Sequence, residues 1–182
     1  MKVQPPSDIF LRALEFDDYK VTVRWRADEE IWNGVLGQRY FVSSEYERKW
    51  VQDAIANTEE IRLGICLCKT NELIGVTSIL GIDWFNRSAR SHIMIGEKSY
   101  WGKGYGTQAV LETVRFGFLH RGFERMWVRI VDTNQASVAL HEKVGYMREG
   151  VLRRAVFKNG KFHDVLVLSL LREEFNALET VP

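Results

Sequence analysis

The stretch that most constrains the fold is Trp101–Ala109, "WGKGYGTQA", where Gly102, Gly104 and Gly106 alternate directly ahead of a helical pattern. Val110, Leu111, Val114 and Phe118 recur at helical steps after it, and Gly122 stands where such a helix would end. Three segments before it read as strands, Ile61–Cys68, Leu73–Asp83 and Ala89–Gly96, with the turn-like "KTNE" between the first two. An antiparallel meander is the simplest connection. The bare turn therefore falls mid-chain, between the last strand of a meander and a helix that leads to a further strand, "ERMWVRIV".

Upstream, Ile9–Leu14 is an extended apolar segment, and Asp17 and Asp18 stand where a helix N-terminus favours negative charge. From Trp25 to Tyr40 the pattern is irregular and aromatic. Ser43 or Ser44 then caps a helix carrying Tyr46, Trp50, Val51, Ala54 and Ile55. Downstream, "NQASVALHEKVG" reads as a capped helix ending at Gly145, "VLRRAVFKNGKFHDVLVLSL" as a hairpin turned at Asn159 and Gly160, and "LLREEFNAL" as a closing helix. With 182 residues, 46% of them hydrophobic, and neither repeat nor linker, the chain is expected to form one α/β domain over 1–182, residues 1–8 being a flexible tail.

A formal net charge of +1 recommends neither nucleic acid nor a membrane surface as partner. The opening "MKVQPPSD" has no apolar signal core, and the apolar runs are too short to cross a bilayer, so a cytoplasmic protein is the expectation. Cys66 and Cys68 lie two apart on one strand, with no second Cys or His pair at metal-ligand spacing. They are expected to be reduced core residues sharing a face, and no metal site is expected.

Bare amides at a helix N-terminus, where the dipole is positive, suit an anion, most naturally a phosphate group. A plain loop explains three glycines as well. Gly104, Gly106 and Ala109 also fit the dinucleotide pattern G-x-G-x-x-A, with Asp132 at the end of the next strand. That reading, an NAD-binding oxidoreductase, belongs to an opening parallel βαβ unit, whereas this motif follows an antiparallel meander and leaves too little chain for a second half. A P-loop is excluded, since G-x-x-x-x-G-K-[ST] is absent.

"WGKGYGTQA" after "SHIMIG", followed by "NQASVALHEKVGY", resembles the GCN5-related N-acetyltransferases over nearly the whole chain. "FLRALEFDD", "IGVTSILGIDWFNRSA" and "NGKFHDVLVLSLL" are similar to the branch holding polyamine acetyltransferases and acetyltransferases of ribosomal-protein N-termini. The resemblance implies a mixed, mainly antiparallel sheet flanked by helices. It also implies acetyl-CoA as co-substrate and direct transfer of acetyl to a small-molecule amine or protein N-terminus without metal. Family relatives often assemble into homo-oligomers. The pyrophosphate would lie on the amides of Gly102, Lys103, Gly104, Tyr105, Gly106 and Thr107, although Trp101 replaces the family's usual Gln or Arg. The pantetheine arm would run along the backbone of Met94, Ile95 and Gly96.

Asn134, Ser137, Val138 and His141 form a mostly polar stripe on the next helix, apart from Ala136, Ala139, Leu140 and Val144. The resemblance implies that Asn134 contacts the CoA arm; capping explains it equally. His141 occupies a position where many members carry a tyrosine that protonates the departing thiolate, and the resemblance implies that role for it. A histidine packed beside the cofactor and bonded to backbone is the alternative, and with it a non-catalytic CoA-binding module.

An amine of pKa about 10.4 is neutral roughly once in 2,500 molecules at pH 7, a deficit of about 4.6 kcal/mol, so a base or a depressed pKa is needed. His92, Glu97 and Asp83 are the candidates. Substrate selection is expected from Trp32, Tyr40, Asp83 and Trp84, as pocket walls or else as core. Glu29 and Glu30 suit a polyamine, or are a solvated helix end.

Overall fold

Seven strands form in the computed structural model, which describes residues 7–37 and 41–180. They are β1 (Ile9–Ala13), β2 (Ile61–Leu67), β3 (Leu73–Asp83), β4 (Ser88–Ile95), β5 (Arg125–Val131), β6 (Met147–Lys158) and β7 (Lys161–Leu171). β4 and β5 open with alternating half-buried and buried positions, while the first seven residues of β3 are a continuous buried run. The seven form one mixed sheet in the order β1-β2-β3-β4-β5-β7-β6, antiparallel throughout except between β4 and β5. The β6–β7 turn takes positive φ at Asn159 (50°) and Gly160 (79°), as a two-residue hairpin of this sequence requires.

The parallel junction decides where a site can form. Only three residue pairs join β4 to β5, from Ser88↔Arg125 to Arg90↔Trp127; beyond them β4 continues to pair with β3, and β5 with β7. The sheet is thus open between its fourth and fifth strands.

Six helices cover the two faces: α1 (Tyr19–Ala27), α2 (Glu29–Asn33), α3 (Ser44–Ala56), α4 (Tyr105–Arg115), α5 (Gln135–Lys143) and α6 (Arg172–Thr180). On one face Val110, Val114, Phe118, Val138 and Phe175 pack with Met126, Val128 and Leu168 of the sheet. On the other, Trp25, Ile31 and Ala54 of α1 to α3 pack on Cys66, Val76 and Met94. Large apolar groups buried on both faces supply the stabilisation, at about 25 cal/mol per Å² removed from water.

Two expectations need correction. The segment from Trp25 is not irregular at first: Trp25 is buried in α1, and Asp28 then caps α2 by accepting from the amides of Glu30 (2.9 Å) and Ile31 (3.3 Å). Cys66 and Cys68 do not share a buried face. β2 ends at Leu67, so alternation never reaches Cys68, which is exposed while Cys66 is buried. Among the described residues no helix is long and apolar enough to cross a membrane.

Candidate active site

The glycine turn is required by backbone conformation. Gly102 (φ 71°) and Gly104 (φ 87°) are left-handed, and a Cβ added at either would meet nothing within 4 Å. Such a φ costs an ordinary residue roughly 1–2 kcal/mol. Gly104 stands as the N-cap of the eleven-residue α4 and supplies no side-chain cap, so the first amides of that helix are left to whatever lies in front of them. In front of them is a cavity of about 730 Å³ that occupies the opening between β4 and β5 and is lined by Gly102, Gly104, Gly106 and Thr107.

Lys103 and Tyr105 belong to the turn without lining the cavity. Lys103 holds its ammonium 5.8 Å from the Tyr100 ring, and Tyr105 packs edge-on against the same ring at 5.4 Å. Trp101 donates its indole N–H to the carbonyl of Ile95 at 2.8 Å, which fastens the turn to the end of β4. Met94 and Ile95 line the cavity. Gly96 lies just outside it, where a Cβ would stand 2.0 Å from the Trp25 ring; its glycine identity answers to packing.

α5 forms the opposite wall. Its inward stripe is Val138, His141 and Val144, all buried, while Ala136 and Ala139 are exposed and line the cavity together with Leu140. The polar stripe Asn134, Ser137 and His141 borders the cavity as the pattern implies, and Ala136, Ala139 and Leu140 border it beside that stripe instead of being buried in the core. Asn134 caps the helix by accepting from the Ser137 amide (3.0 Å) and donates to the Gly34 carbonyl (2.7 Å), so one amide hydrogen is left for the cavity it also lines.

Two imidazoles enter the opening from opposite faces of the sheet. His141, 2% exposed, donates Nδ1–H to the Ser137 carbonyl at 2.7 Å and packs edge-on against Tyr146 at 5.1 Å, whose hydroxyl meets the Ser91 hydroxyl at 3.1 Å. Burial lowers its pKa to about 4. His92 lines the cavity from β4. Burial, reinforced by the positive charge of Arg90 and Arg26, brings its pKa down to about 4 as well. Both rings are neutral at pH 7, and His141 turns an unprotonated Nε2 away from its helix bond.

The other expected residues lie apart. Glu97 accepts at one oxygen from Arg24 and from the indole of Trp25, both at 3.0 Å, and is not among the cavity residues. Asp83 caps the β3–β4 turn, accepting from the amide (2.8 Å) and side chain (2.7 Å) of Asn86. Trp84 packs on Phe123 at 5.6 Å at the closed end of the β4–β5 junction, away from the opening. Trp32 lies under the Arg26 guanidinium at 4.9 Å, one residue from the cavity-lining Ile31 and Asn33. Tyr40 lies outside the described residues.

Sequence reasoning missed three contributors. Arg129 lines the cavity from β5. Lys158, nearly buried, donates to the carbonyls of Trp32 and Val35, and Asn159 to the side chain of Asn33 at 2.9 Å. The alternation of β5 placed Arg129 opposite the core; nothing local to "FKNGKF" points to the 32–36 segment.

This arrangement has counterparts among known proteins. Residues 8–147 match the acetyltransferase (GNAT) domain family. An SPbeta prophage-derived uncharacterized N-acetyltransferase of Bacillus subtilis is 28% identical over 92% of this chain and 92% of its own. A spermidine N(1)-acetyltransferase of Vibrio cholerae is 24% identical over 93% of this chain and 96% of its own. A putative ribosomal N-acetyltransferase of Bacillus subtilis is 31% identical over 57% of this chain and 56% of its own. The crystal structure of the Vibrio cholerae spermidine N-acetyltransferase in complex with CoA and spermine superposes with a TM-score of 0.86, covering 93% of this chain and 99% of that one. With its single seven-stranded mixed sheet open between β4 and β5, the chain belongs to the GNAT family of acetyltransferases.

Proposed function

We propose that the protein transfers acetyl from acetyl-CoA directly to a primary amine inside the β4–β5 opening. The observation that carries this reading is the cavity itself. One end meets the uncapped amides of α4, and the other reaches the α2 segment on the opposite face of the sheet. The site's residues suit the co-substrate: the left-handed glycine turn presents amides to a pyrophosphate, and the Ala136–Ala139 face of α5 offers apolar surface to a flexible arm. The thioester supplies an activated acyl carbon.

His141 handles the proton. Its neutral Nε2 accepts the proton released as the amine attacks, and returns it to the sulfur as the carbon–sulfur bond breaks. With its pKa near 4, the imidazolium is an acid strong enough to protonate a thiolate. His92, whose ring makes no hydrogen bond among the described residues, is neutral on the acceptor side and adds no positive charge beside the amine, whose ammonium gives up its proton to water before attack. Met94 and Ile95 would provide backbone groups to hold the cofactor arm along the edge of β4.

The relatives' names bring spermidine and ribosomal N-termini forward as acceptors. Release of free CoA thiol across spermidine, a diamine, an amino sugar, an aminoglycoside and peptides with free N-termini tests the reading. Amine-dependent release supports it, and silence with acetyl-CoA still bound overturns it.

A further inference from the structure

The acceptor side of the opening is rich in arginine and short of free carboxylate. By strand alternation and register, Arg90, His92, Trp127 and Arg129 share the face covered by α1 to α3. Arg129 lines the cavity. Its Nε is buried with no hydrogen-bond partner, and it makes no ion pair among the described residues. Arg90, two residues before His92, rests on the Trp127 ring at 5.9 Å and meets no carboxylate among the described residues. On the same face Arg26 stacks on Trp32 and Trp50, both at 4.9 Å, and Arg62 reaches Trp50 at 5.9 Å.

The carboxylates nearby each bind a cation, although the second oxygen of Glu47 is buried without a hydrogen-bond partner among the described residues. Glu47 binds Arg26 at 2.9 Å, Glu60 binds Arg62, and Glu30, which lines the cavity, binds Lys98 at 3.0 Å. Among the described residues two of the four guanidiniums therefore have no counter-charge, and one of those lines the cavity with a buried N–H unmet. A buried donor of this kind calls for an acceptor, and a guanidinium fork matches carboxylate or phosphate. A polycation would bring further positive charge to this wall.

We propose that the acceptor is a primary amine that also carries a carboxylate or phosphate group, held through Arg129 with Arg90 beside it. This rests on the acetyl-transfer reading above and narrows its substrate. The anion would meet Arg129 while the amine lies at His92. The surrounding guanidiniums also disfavour an ammonium there, which promotes the neutral nucleophile.

The test compares CoA-thiol release for matched acceptors: γ-aminobutyrate against butylamine, phosphoethanolamine against ethanolamine, a peptide with an acidic second residue against one with lysine, and spermidine. The first two pairs separate carboxylate from phosphate, and the peptides separate a chain terminus from a free small molecule. We expect at least one anionic member to exceed its uncharged or cationic match by tenfold or more in kcat/KM. That ratio should collapse toward one in Arg129→Gln and persist in part in Arg129→Lys. Preference for spermidine, or a ratio unchanged in Arg129→Gln, overturns the inference and leaves acetyl transfer standing. Thiol release with no acceptor, while acetyl-CoA still raises the melting temperature, overturns acetyl transfer and this inference with it.

Discussion

The Nδ1 of His141 lies 2.7 Å from the carbonyl oxygen of Ser137, one turn back on the same helix, and that single bond fixes which nitrogen faces the cavity as a proton acceptor. His141→Phe should lower kcat by about a hundredfold, the lower end of general acid–base contributions, with acetyl-CoA affinity nearly unchanged. Steady-state thiol release together with calorimetric titration of acetyl-CoA checks this. A kcat within threefold of the parent would retire the proton-handling role.

The pH dependence of stability follows from the same ring. His141 and His92 have folded pKa values near 4, below the ordinary 6.5. Between those values the unfolded chain binds more protons than the folded one, so stability is full above about pH 6.5 and falls as pH drops toward 4. For His141 alone the slope approaches 1.4 kcal/mol per pH unit in that window. Urea unfolding at pH 7, 6 and 5 should give this trend, and His141→Phe should flatten it; an equal slope in the variant would show that other groups set it.

Gly104→Val should weaken acetyl-CoA binding through backbone strain. Since no atom lies within 4 Å of the added Cβ, the penalty comes from φ 87°, a conformation that a β-branched residue resists. We expect at least a tenfold loss of acetyl-CoA affinity, about 1.4 kcal/mol. Titration with acetyl-CoA giving the parent's affinity would remove the turn from the binding site.

Lys158→Met should destabilise the 32–36 segment. The substitution leaves the carbonyls of Trp32 and Val35 without their donor, at a cost of about 1–3 kcal/mol. Asn134→Ala should add a loss of about 1 kcal/mol for the cap, together with the Gly34 tether. Urea midpoints give both values, and a raised acceptor KM in each variant would place the segment at the acceptor site. An unchanged KM would confine the effect to stability.

The glycine turn, the meander and the closing hairpin were legible because each depends on local chemistry: Gly102 and Gly104 for positive φ, Asn159 and Gly160 for the tight turn. On α5 the polar stripe Asn134, Ser137 and His141 was legible as cavity-facing, whereas Ala136 and Ala139 were not, because the pattern assumes that apolar means buried and these two border a cavity. Residue type and position at strand ends make Glu97 and Asp83 candidate bases, yet Arg24 and Asn86, far and near in the chain, already engage them. Cys68 escaped its expected face because β2 stops at Leu67, one residue short of it, and strand ends are what composition records least.

The tethers of the acceptor-side wall span most of the molecule: Asn134 reaches Gly34 across 100 positions, and Lys158 reaches Trp32 across 126. Closing so distant a contact carries a loop-closure cost that falls once the intervening strands have paired, so it is expected late in folding. A nascent chain that has not yet delivered its final hairpin therefore has a sheet and a glycine turn but no finished acceptor wall. Competence for an acceptor arrives only when the last strands do, and the 32–36 segment, held by a few polar anchors, is where amide exchange should first reveal their loss.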